Sequence, residues 1–308
     1  MQGGPGGGDA GAAEGPSPAS GGPSRPAPGL YLVATPIGNA RDITLRALDL
    51  LASCDAIAAE DTRTTRRLME IHGIALRDRP MQPYHDRNGA EARPRIAAWL
   101  EEGRSVAYCT DAGTPLIADP GFRLVRLAAE GGHAVTALPG PSAALVALSL
   151  SGLPTDRFMF AGFPPPKAGA RARFLAELSG VPATLVLFES PHRVVESVAA
   201  MAEALGSTRP AALARELTKR FEEVRRATLG ELASALAADG PPRGEIVLVV
   251  GPPEATVAAS EADIDSALIE ALAQMSVKDA ASHVAAALGL PRRGVYARAV
   301  TLSKSSPD

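Results

Sequence analysis

Short apolar runs alternate with longer amphipathic stretches over most of the 308-residue chain. Runs such as 30–34, 55–60 and 105–109 are five or six residues long and mostly apolar, which is typical of buried strands. The stretches 44–54 and 62–73 repeat apolar positions at helical spacing. Strands that alternate with helices at this spacing predict an α/β fold with a mostly parallel sheet.

The pattern changes after residue 153. Four strand-like runs, FMFAGF, ATLVLF, AALARE and EIVLVV, are separated by helical stretches at 171–179, 191–205 and 230–238. These runs predict a second α/β unit with a mixed sheet. The stretch just before the change, PSAALVALSLSG, is predicted to be a helix with Pro141 in its first turn.

Both ends of the chain differ from the two α/β units. The first 28 residues are nearly all Gly, Pro, Ala and Ser, so they cannot bury enough apolar surface to order and are predicted to be a disordered tail. Two amphipathic helices are predicted near the C-terminus, where five basic residues and one acidic residue suit either a nucleic-acid backbone or a solvated helical cap. The predicted organisation is a tail at 1–28, an α/β domain at 29–153, a second α/β domain at 154–252, a linker at 253–262 and a small helical, RNA-binding-like domain at 263–304.

Composition narrows the class of protein. Hydrophobic residues make up 46% and charged residues 21%, the balance of an ordinary globular protein. Cys54 and Cys109 lie in apolar runs, so we predict buried free thiols and a reducing, cytoplasmic compartment. No apolar stretch approaches the ~18 residues of a membrane span, and no membrane association is predicted. The net charge of −3 excludes a globally basic nucleic-acid coat.

Three turn-rich loops follow predicted strands of the first unit. They are ATPIGN, TDAGTP and LPGPSA, and each pairs Gly with Pro at a helix entrance, where backbone N–H groups can bind polar or anionic groups. Open α/β sheets bind ligands beyond the carboxyl ends of their strands. The three loops are expected to converge on a ligand if their strands are neighbours; otherwise they are three ordinary turns.

Several common sites are absent from the sequence. There is no G-x-G-x-x-G fingerprint, no P-loop and no G-x-S-x-G elbow, which disfavours nicotinamide enzymes, P-loop enzymes and serine hydrolases. The five histidines are scattered without metal-ligand spacing, so no metal site is predicted.

Charged motifs also stand at predicted strand ends. In AEDTR, Glu60 and Asp61 precede Arg63 and Arg66, and the carboxylates either cap the following helix or face the ligand crevice. FESPHR repeats this arrangement in the second unit, and ARELTKRFEE is a mixed-charge cluster that suits either surface ion pairs or a phosphodiester contact.

These motifs, taken in order from Leu30 to Thr301, closely resemble the bacterial 16S ribosomal RNA 2′-O-ribose methyltransferases of the tetrapyrrole-methylase superfamily. The resemblance implies two αβα domains with S-adenosylmethionine in the cleft between them, a small C-terminal helical domain and a homodimer. It implies that the substrate is the 16S RNA of the 30S subunit, methylated at the cytidine at position 1402 of the decoding centre. By analogy, the residues that bind the methyl donor are Pro36, Ile37, Gly38, Asp111, Ala112, Gly113, Ile117, Ser142, Ala143, Phe188, Gly244 and Glu245.

The AEDTR and ESPHR motifs are then expected to face the RNA. The residues predicted to bind it are Arg63, Arg66, His85, His192, Arg193, Lys219, Arg292 and Arg293. A general base is needed to take the proton of a ribose 2′-hydroxyl. Five residues are chemically able to do so: Glu60, Asp61, His85, Glu189 and Lys219. We predict that the base belongs to the Glu60/Asp61 pair.

The sequence departs from the family at two places. Gly89 stands where an acidic residue is common, and Ser142 stands where some relatives have Cys. The sequence is also compatible with two other functions. One is methylation of a small tetrapyrrole, and the other is a non-catalytic RNA-binding factor in ribosome assembly.

Overall fold

The computed structural model describes residues 25–85, 87–117, 121–254, 261–288 and 290–305. Most of the tail predicted at 1–28 and most of the linker predicted at 253–262 lie outside these residues. Among the described residues, no helix has the length and apolarity that crossing a bilayer requires.

The first unit is a five-stranded sheet, entirely parallel, with the strand order β3-β2-β4-β1-β5. Helices α1 and α2 cover one face of this sheet, and α3 and α4 cover the other. The predicted parallel α/β sheet is therefore confirmed. Its elements are β1 (Gly29–Val33), α1 (Leu45–Ser53), β2 (Ala56–Ala59), α2 (Thr62–Ile71), β3 (Met81–Pro83), α3 (Gly89–Glu101), β4 (Ser105–Cys109), α4 (Phe122–Glu130), β5 (Val135–Leu138) and α5 (Ala143–Ser151).

The second unit is a mixed sheet with the strand order β6-β7-β10-β8-β9, as predicted. Only the β6–β7 pair is parallel; β10 is antiparallel to both β7 and β8, and β9 is antiparallel to β8. Helices α6, α7 and α8 pack on one face of the sheet. Its elements are β6 (Phe158–Gly162), α6 (Ala168–Leu178), β7 (Thr184–Glu189), α7 (Val194–Leu205), β8 (Pro210–Arg215), β9 (Glu223–Thr228), α8 (Leu229–Asp239) and β10 (Ile246–Val250).

The other face of the second sheet is covered by α5, a helix that follows the first sheet in the chain. Ala144, Ala147 and Leu148 of α5 pack against Val186 and Val247 of the second sheet. The second three-layered unit is therefore completed by a helix on the N-terminal side of the boundary predicted at 153. A cluster of α9 (Glu261–Leu272), α10 (Val277–Leu288) and α11 (Arg292–Ser305) forms a separate small core at the C-terminus.

The structure differs from the predicted elements in four places. Pro141 lies before α5 rather than in its first turn, because Ser142 is the N-cap and the Pro141 carbonyl accepts a bond from a loop of the first sheet. Strand β3 was not predicted because it has only three residues, one of them a proline. Strand β9 was missed because it is a charged edge strand, and α11 because it buries few apolar side chains.

Both cysteines are free and buried, as predicted. Burial raises the pKa of the Cys54 thiol from 9.0 to about 11, and burial also raises the pKa of Cys109. We therefore expect neither thiol to react with a disulfide reagent at pH 8 in the folded protein, and both to react in guanidinium chloride. Reaction of both thiols with the reagent within minutes in the native protein would contradict this.

The same shift has a consequence at high pH. Between pH 9 and about 11 the Cys54 thiol loses its proton in the unfolded chain but keeps it in the folded chain. The free energy of unfolding therefore falls over this pH range, and the loss is complete above about pH 11. We expect the free energy of unfolding of a Cys54→Ala variant to fall less than that of the parent protein between pH 9 and 11, and urea unfolding at each pH measures the difference.

Candidate active site

The strand order brings together the three loops that follow β1, β4 and β5, because β1 lies between the other two. Thr35 and Gly113 exchange two backbone hydrogen bonds, each of 3.0 Å. The Thr114 hydroxyl donates to the Pro141 carbonyl at 2.9 Å. The predicted convergence of these loops is confirmed, and they do not act as three independent turns.

The loop after β4 is conformationally strained. Gly113 has a φ of +82° and Leu116 has a φ of +72°. A non-glycine residue in this region costs about 1–3 kcal/mol and persists only when its surroundings hold it, a condition frequent at functional sites. Here the loop is held by the bonds to Thr35 and Pro141, and a Cβ on Gly113 would stand 3.4 Å from the side chain of Ile37.

A cavity of about 420 Å³ lies between the two units, at the carboxyl edge of the first sheet. The first unit supplies the carboxylates of Glu60 and Asp111 together with apolar side chains, and the second unit supplies an apolar floor from Phe188, Ile246 and Val247. The end of β7 and the start of β10 meet here because the two strands are antiparallel, with Glu189 paired to Ile246. The other lining residues are Ile37, Glu60, Asp111, Ala112, Gly113, Thr114, Ile117, Ser142, Ala143, Phe163, Ser190, Pro191, Gly244 and Glu245.

The predicted donor-binding residues are concentrated at this cavity. Ten of the twelve line it; the other two, Pro36 and Gly38, line a smaller adjoining cavity of about 160 Å³, which also includes Asp111. The predicted list did not include Phe163, Thr114 or Val247. The adjacent segment 118–120 lies outside the described residues.

The cavity is acidic. Glu60, Asp111, Glu189 and Glu245 contribute carboxylates, and none of the lining side chains in the described part of the chain is basic. Asp111 links the ends of β2 and β4: its N–H donates to the Glu60 carboxylate at 3.0 Å, and its own carboxylate accepts the Asp61 N–H at 3.1 Å. Burial, and then the charge of Asp61, raise the pKa of Asp111.

Asp61 has the role of a helix cap. Its carboxylate accepts the Arg63 N–H at 2.7 Å at the start of α2, and the Arg63 guanidinium at 2.6 Å. These bonds lower the pKa of Asp61 to about 2. A carboxylate with so low a pKa is a weak proton acceptor, so Glu60 is the better placed of the two predicted bases.

The second unit holds its side of the cavity with a buried ion pair. The Glu189 side chain is fully buried and pairs with Arg193 at 2.7 Å. It also accepts bonds from the Ser190 N–H at 2.7 Å and the Ser197 hydroxyl at 2.5 Å. Arg193, predicted to bind RNA, is thus engaged within its own unit, whereas the neighbouring His192 is exposed.

Residues 216–219, which we name the clasp loop, connect the second unit to the loop after β1. The Lys219 ammonium pairs with Glu216 and Glu245, each at 2.9 Å. The Thr218 hydroxyl accepts the Asn39 N–H across the units at 3.1 Å. Glu216 and Thr218 both have positive φ, of 51° and 64°. Lys219, another predicted RNA contact, is therefore part of this bridge.

The remaining predicted RNA contacts fall into two groups. Arg63, Arg66 and His85 lie beyond β2 and β3, at the same edge of the first sheet as the cavity, and both arginines are exposed. Arg292 and Arg293 are exposed at the start of α11, in the C-terminal helical unit.

A second cavity, of about 470 Å³, is at the opposite edge of the first sheet. Several of its charged side chains have protein partners: Arg25 pairs with Asp55 at 2.9 Å, and Arg79 donates to the Leu51 carbonyl at 2.6 Å. These contacts give the arginines a structural role, and the cleft between the units is the better candidate site.

Comparison with known proteins agrees with this geometry. Residues 29–233 match the family model of tetrapyrrole (corrin/porphyrin) methylases. Among solved structures, diphthine synthase aligns with a TM-score of 0.57 and 16% identity, covering 72% of this chain and 89% of that one. A uroporphyrin-III C-methyltransferase from Thermus thermophilus, solved with S-adenosylhomocysteine, aligns with a TM-score of 0.51 and 21% identity over 72% of this chain and 96% of that one. At these identities the structures show the fold alone.

Curated relatives are much closer in sequence. Ribosomal RNA small subunit methyltransferase I of Mesorhizobium japonicum is 52% identical over 93% of this chain and 96% of its own. The Escherichia coli O157:H7 protein of the same name is 42% identical over 87% and 93%. Residues 258–303 match the model of the RsmI C-terminal HTH domain. The chain is a methyltransferase that belongs to the ribosomal RNA small subunit methyltransferase I family, within the tetrapyrrole methylases.

Proposed function

We propose that the protein transfers a methyl group from S-adenosylmethionine to a ribose 2′-hydroxyl of 16S ribosomal RNA, at the cytidine at position 1402. The observation that carries this proposal is the acidic cavity between the units, lined by Asp111 and Glu60. The names of the relatives support the ribosomal substrate, and the small-subunit RNA is the partner they name. A homodimer and a cytoplasmic location stay predictions.

The cavity suits a cationic donor. Glu60 and Asp111 present carboxylates at the cavity wall, where each accepts a backbone N–H. Carboxylates at the wall favour a positively charged ligand. The apolar floor formed by Phe188 and Val247 suits an adenine ring. When bound, S-adenosylmethionine supplies a methyl group on a positively charged sulfur, which a ribose oxygen can attack.

The chain contributes a base and a fixed geometry. In the proposed step the oxygen–methyl bond forms as the sulfur–methyl bond breaks, and Glu60 takes the hydroxyl proton at its carboxylate. Asp111 holds that carboxylate in place through its N–H. The rigid loops position donor and acceptor, which reduces the entropic part of the barrier.

The RNA is proposed to lie along the edge that carries Arg63, Arg66 and His85. Phosphate contacts from exposed arginines position an RNA without reading its sequence. His192 extends this surface beyond the cavity, and Arg292 and Arg293 offer a second contact on the C-terminal helices.

A transfer assay tests the proposal. The protein is incubated with tritiated S-adenosylmethionine and either 30S subunits lacking the modification, naked 16S RNA or a porphyrin precursor, and the labelled nucleotide is mapped. We expect label on a ribose 2′-oxygen of the 16S RNA. Label in the porphyrin precursor alone would contradict the proposal, and so would RNA binding without affinity for S-adenosylmethionine.

Gly38 is expected to control donor affinity through the clasp loop. A Cβ at this position would lie 2.4 Å from Cγ of Lys219 and 3.0 Å from the Leu217 carbonyl, so the loop after β1 has to move and take Ile37 out of the cavity wall. Because overpacking costs about 1–3 kcal/mol, we expect Gly38→Ala to weaken S-adenosylhomocysteine binding roughly tenfold by calorimetry. Gly180→Ala, at a site with open space, is the control. Unchanged affinity in Gly38→Ala would show that the loop adapts.

A further inference from the structure

One aromatic side chain at the cavity has no part in the function proposed so far. Phe163 follows β6 directly, lines the cavity and is 50% exposed. Its ring stands edge-on to that of Phe188, with centroids 5.6 Å apart, and Phe188 in turn contacts Phe160 at 4.9 Å. Phe163 is therefore the outer member of a row of three rings that begins inside the second unit.

The segment after Phe163 holds the backbone at this position in place. Three prolines at 164–166 fix the backbone, because each pyrrolidine ring restricts φ. Arg193 donates to the Pro164 carbonyl at 3.3 Å, and Arg171 donates to the Pro166 carbonyl at 3.5 Å. Arg193 is itself fixed by the buried Glu189. The backbone from which the Phe163 ring projects is therefore fixed at the entrance to the cavity.

The position of the ring fits the second substrate rather than the donor. Phe188 already supplies an aromatic surface deeper in the cleft, whereas Phe163 has half of its surface in solvent. A nucleotide whose ribose oxygen reaches Glu60 must leave the RNA stack, and its base then stays near the entrance to the cavity. Bases that are taken out of a stack are commonly held by aromatic faces.

We propose that Phe163 is the stacking platform for the base of the nucleotide that is methylated. The proposal rests on the proposed function, since it assumes an RNA acceptor. Lys167, exposed at the start of α6, adds a positive charge four residues further along the chain, where a flanking phosphate can bind.

Three substitutions of Phe163 distinguish the effect of an aromatic face from the effect of side-chain volume. Phe163→Ala removes the ring, Phe163→Leu keeps an apolar side chain without an aromatic face, and Phe163→Trp keeps a face. We expect kcat/KM for methylation of 30S subunits to fall roughly tenfold in the Ala and Leu variants and to stay near the parent value in the Trp variant. Calorimetric affinity for S-adenosylhomocysteine is expected to be the same in all of them.

Phe158→Ala is the matched control. Phe158 is at the other end of β6, is 45% exposed and does not line the cavity, so its removal is expected to leave kcat/KM unchanged. An unchanged kcat/KM in Phe163→Leu would overturn the proposal. A parallel loss of S-adenosylhomocysteine affinity would also overturn it, because the ring would then contact the donor. Failure of the parent protein to methylate 30S subunits is a separate result, which rejects the proposed function itself.

Discussion

Replacing Glu60 with glutamine is expected to lower kcat for methylation of 30S subunits by roughly 10²–10⁴-fold, the usual contribution of a general base. The amide oxygen of glutamine can still accept the Asp111 N–H that the carboxylate accepts at 3.0 Å, so the wall of the cavity keeps its shape. The amide cannot take the proton of the ribose hydroxyl. Single-turnover methylation with saturating S-adenosylmethionine measures the effect on the chemical step.

Asp61→Asn is the matched control, because the two carboxylates are adjacent in the chain. Asparagine is as good an N-cap as aspartate, so α2 keeps its first turn. Asp61 has a pKa of about 2 and is occupied by Arg63, so we expect its replacement to leave most of the activity. A larger loss of kcat in Asp61→Asn than in Glu60→Gln would reverse the assignment. Equal and small losses of kcat in the two variants would show that neither carboxylate acts as the general base.

Glu189→Ala is expected to lower the free energy of unfolding by about 3 kcal/mol, because removing one partner of a buried ion pair leaves the other charge uncompensated. The Glu189 side chain is fully buried, whereas Arg193 is 28% exposed, which favours the lower end of the usual range. The substitution also removes the acceptor of the Ser190 N–H and of the Ser197 hydroxyl. Urea unfolding followed by circular dichroism measures the change.

An exposed ion pair provides the comparison for this experiment. Glu130 pairs with Arg126 at 2.7 Å on the surface of α4, and both side chains are more than 60% exposed. Exposed pairs contribute about 0–1 kcal/mol, so Glu130→Ala is expected to have little effect on unfolding. If Glu189→Ala unfolded at the same urea concentration as Glu130→Ala, the buried pair would not be what holds this side of the cleft.

Most of the fold was predictable because its signals are local. The run at 105–109 and the helix that begins near 44 each carry their own pattern of apolar positions. Strand β3 and strand β9 carried no such signal, since one has three residues and the other lies at an edge with two arginines. Their place in the sheets is set by pairing with distant strands, which a local pattern does not encode.

The site was predictable only in part, for a similar reason. The loops around Gly113 and Ser142 are marked by Gly and Pro at strand ends, and they do line the cavity. Val247 has no such mark, because it reaches the cavity only through the antiparallel pairing of β10 with β7. The bond between Lys219 and Glu245 has no sequence mark either, because the two residues are 26 positions apart.

Helix α5 has a consequence for how the protein can be divided. It follows the first sheet in the chain, yet its apolar side chains complete the core of the second, and Ile37 of the first unit joins the same core. A fragment ending near residue 153 would therefore expose an apolar helix, and the complementary fragment would lack one layer. We therefore expect neither half to fold well when it is expressed alone. A chimera between two relatives has to take residues 143–151 from the same parent as the C-terminal half.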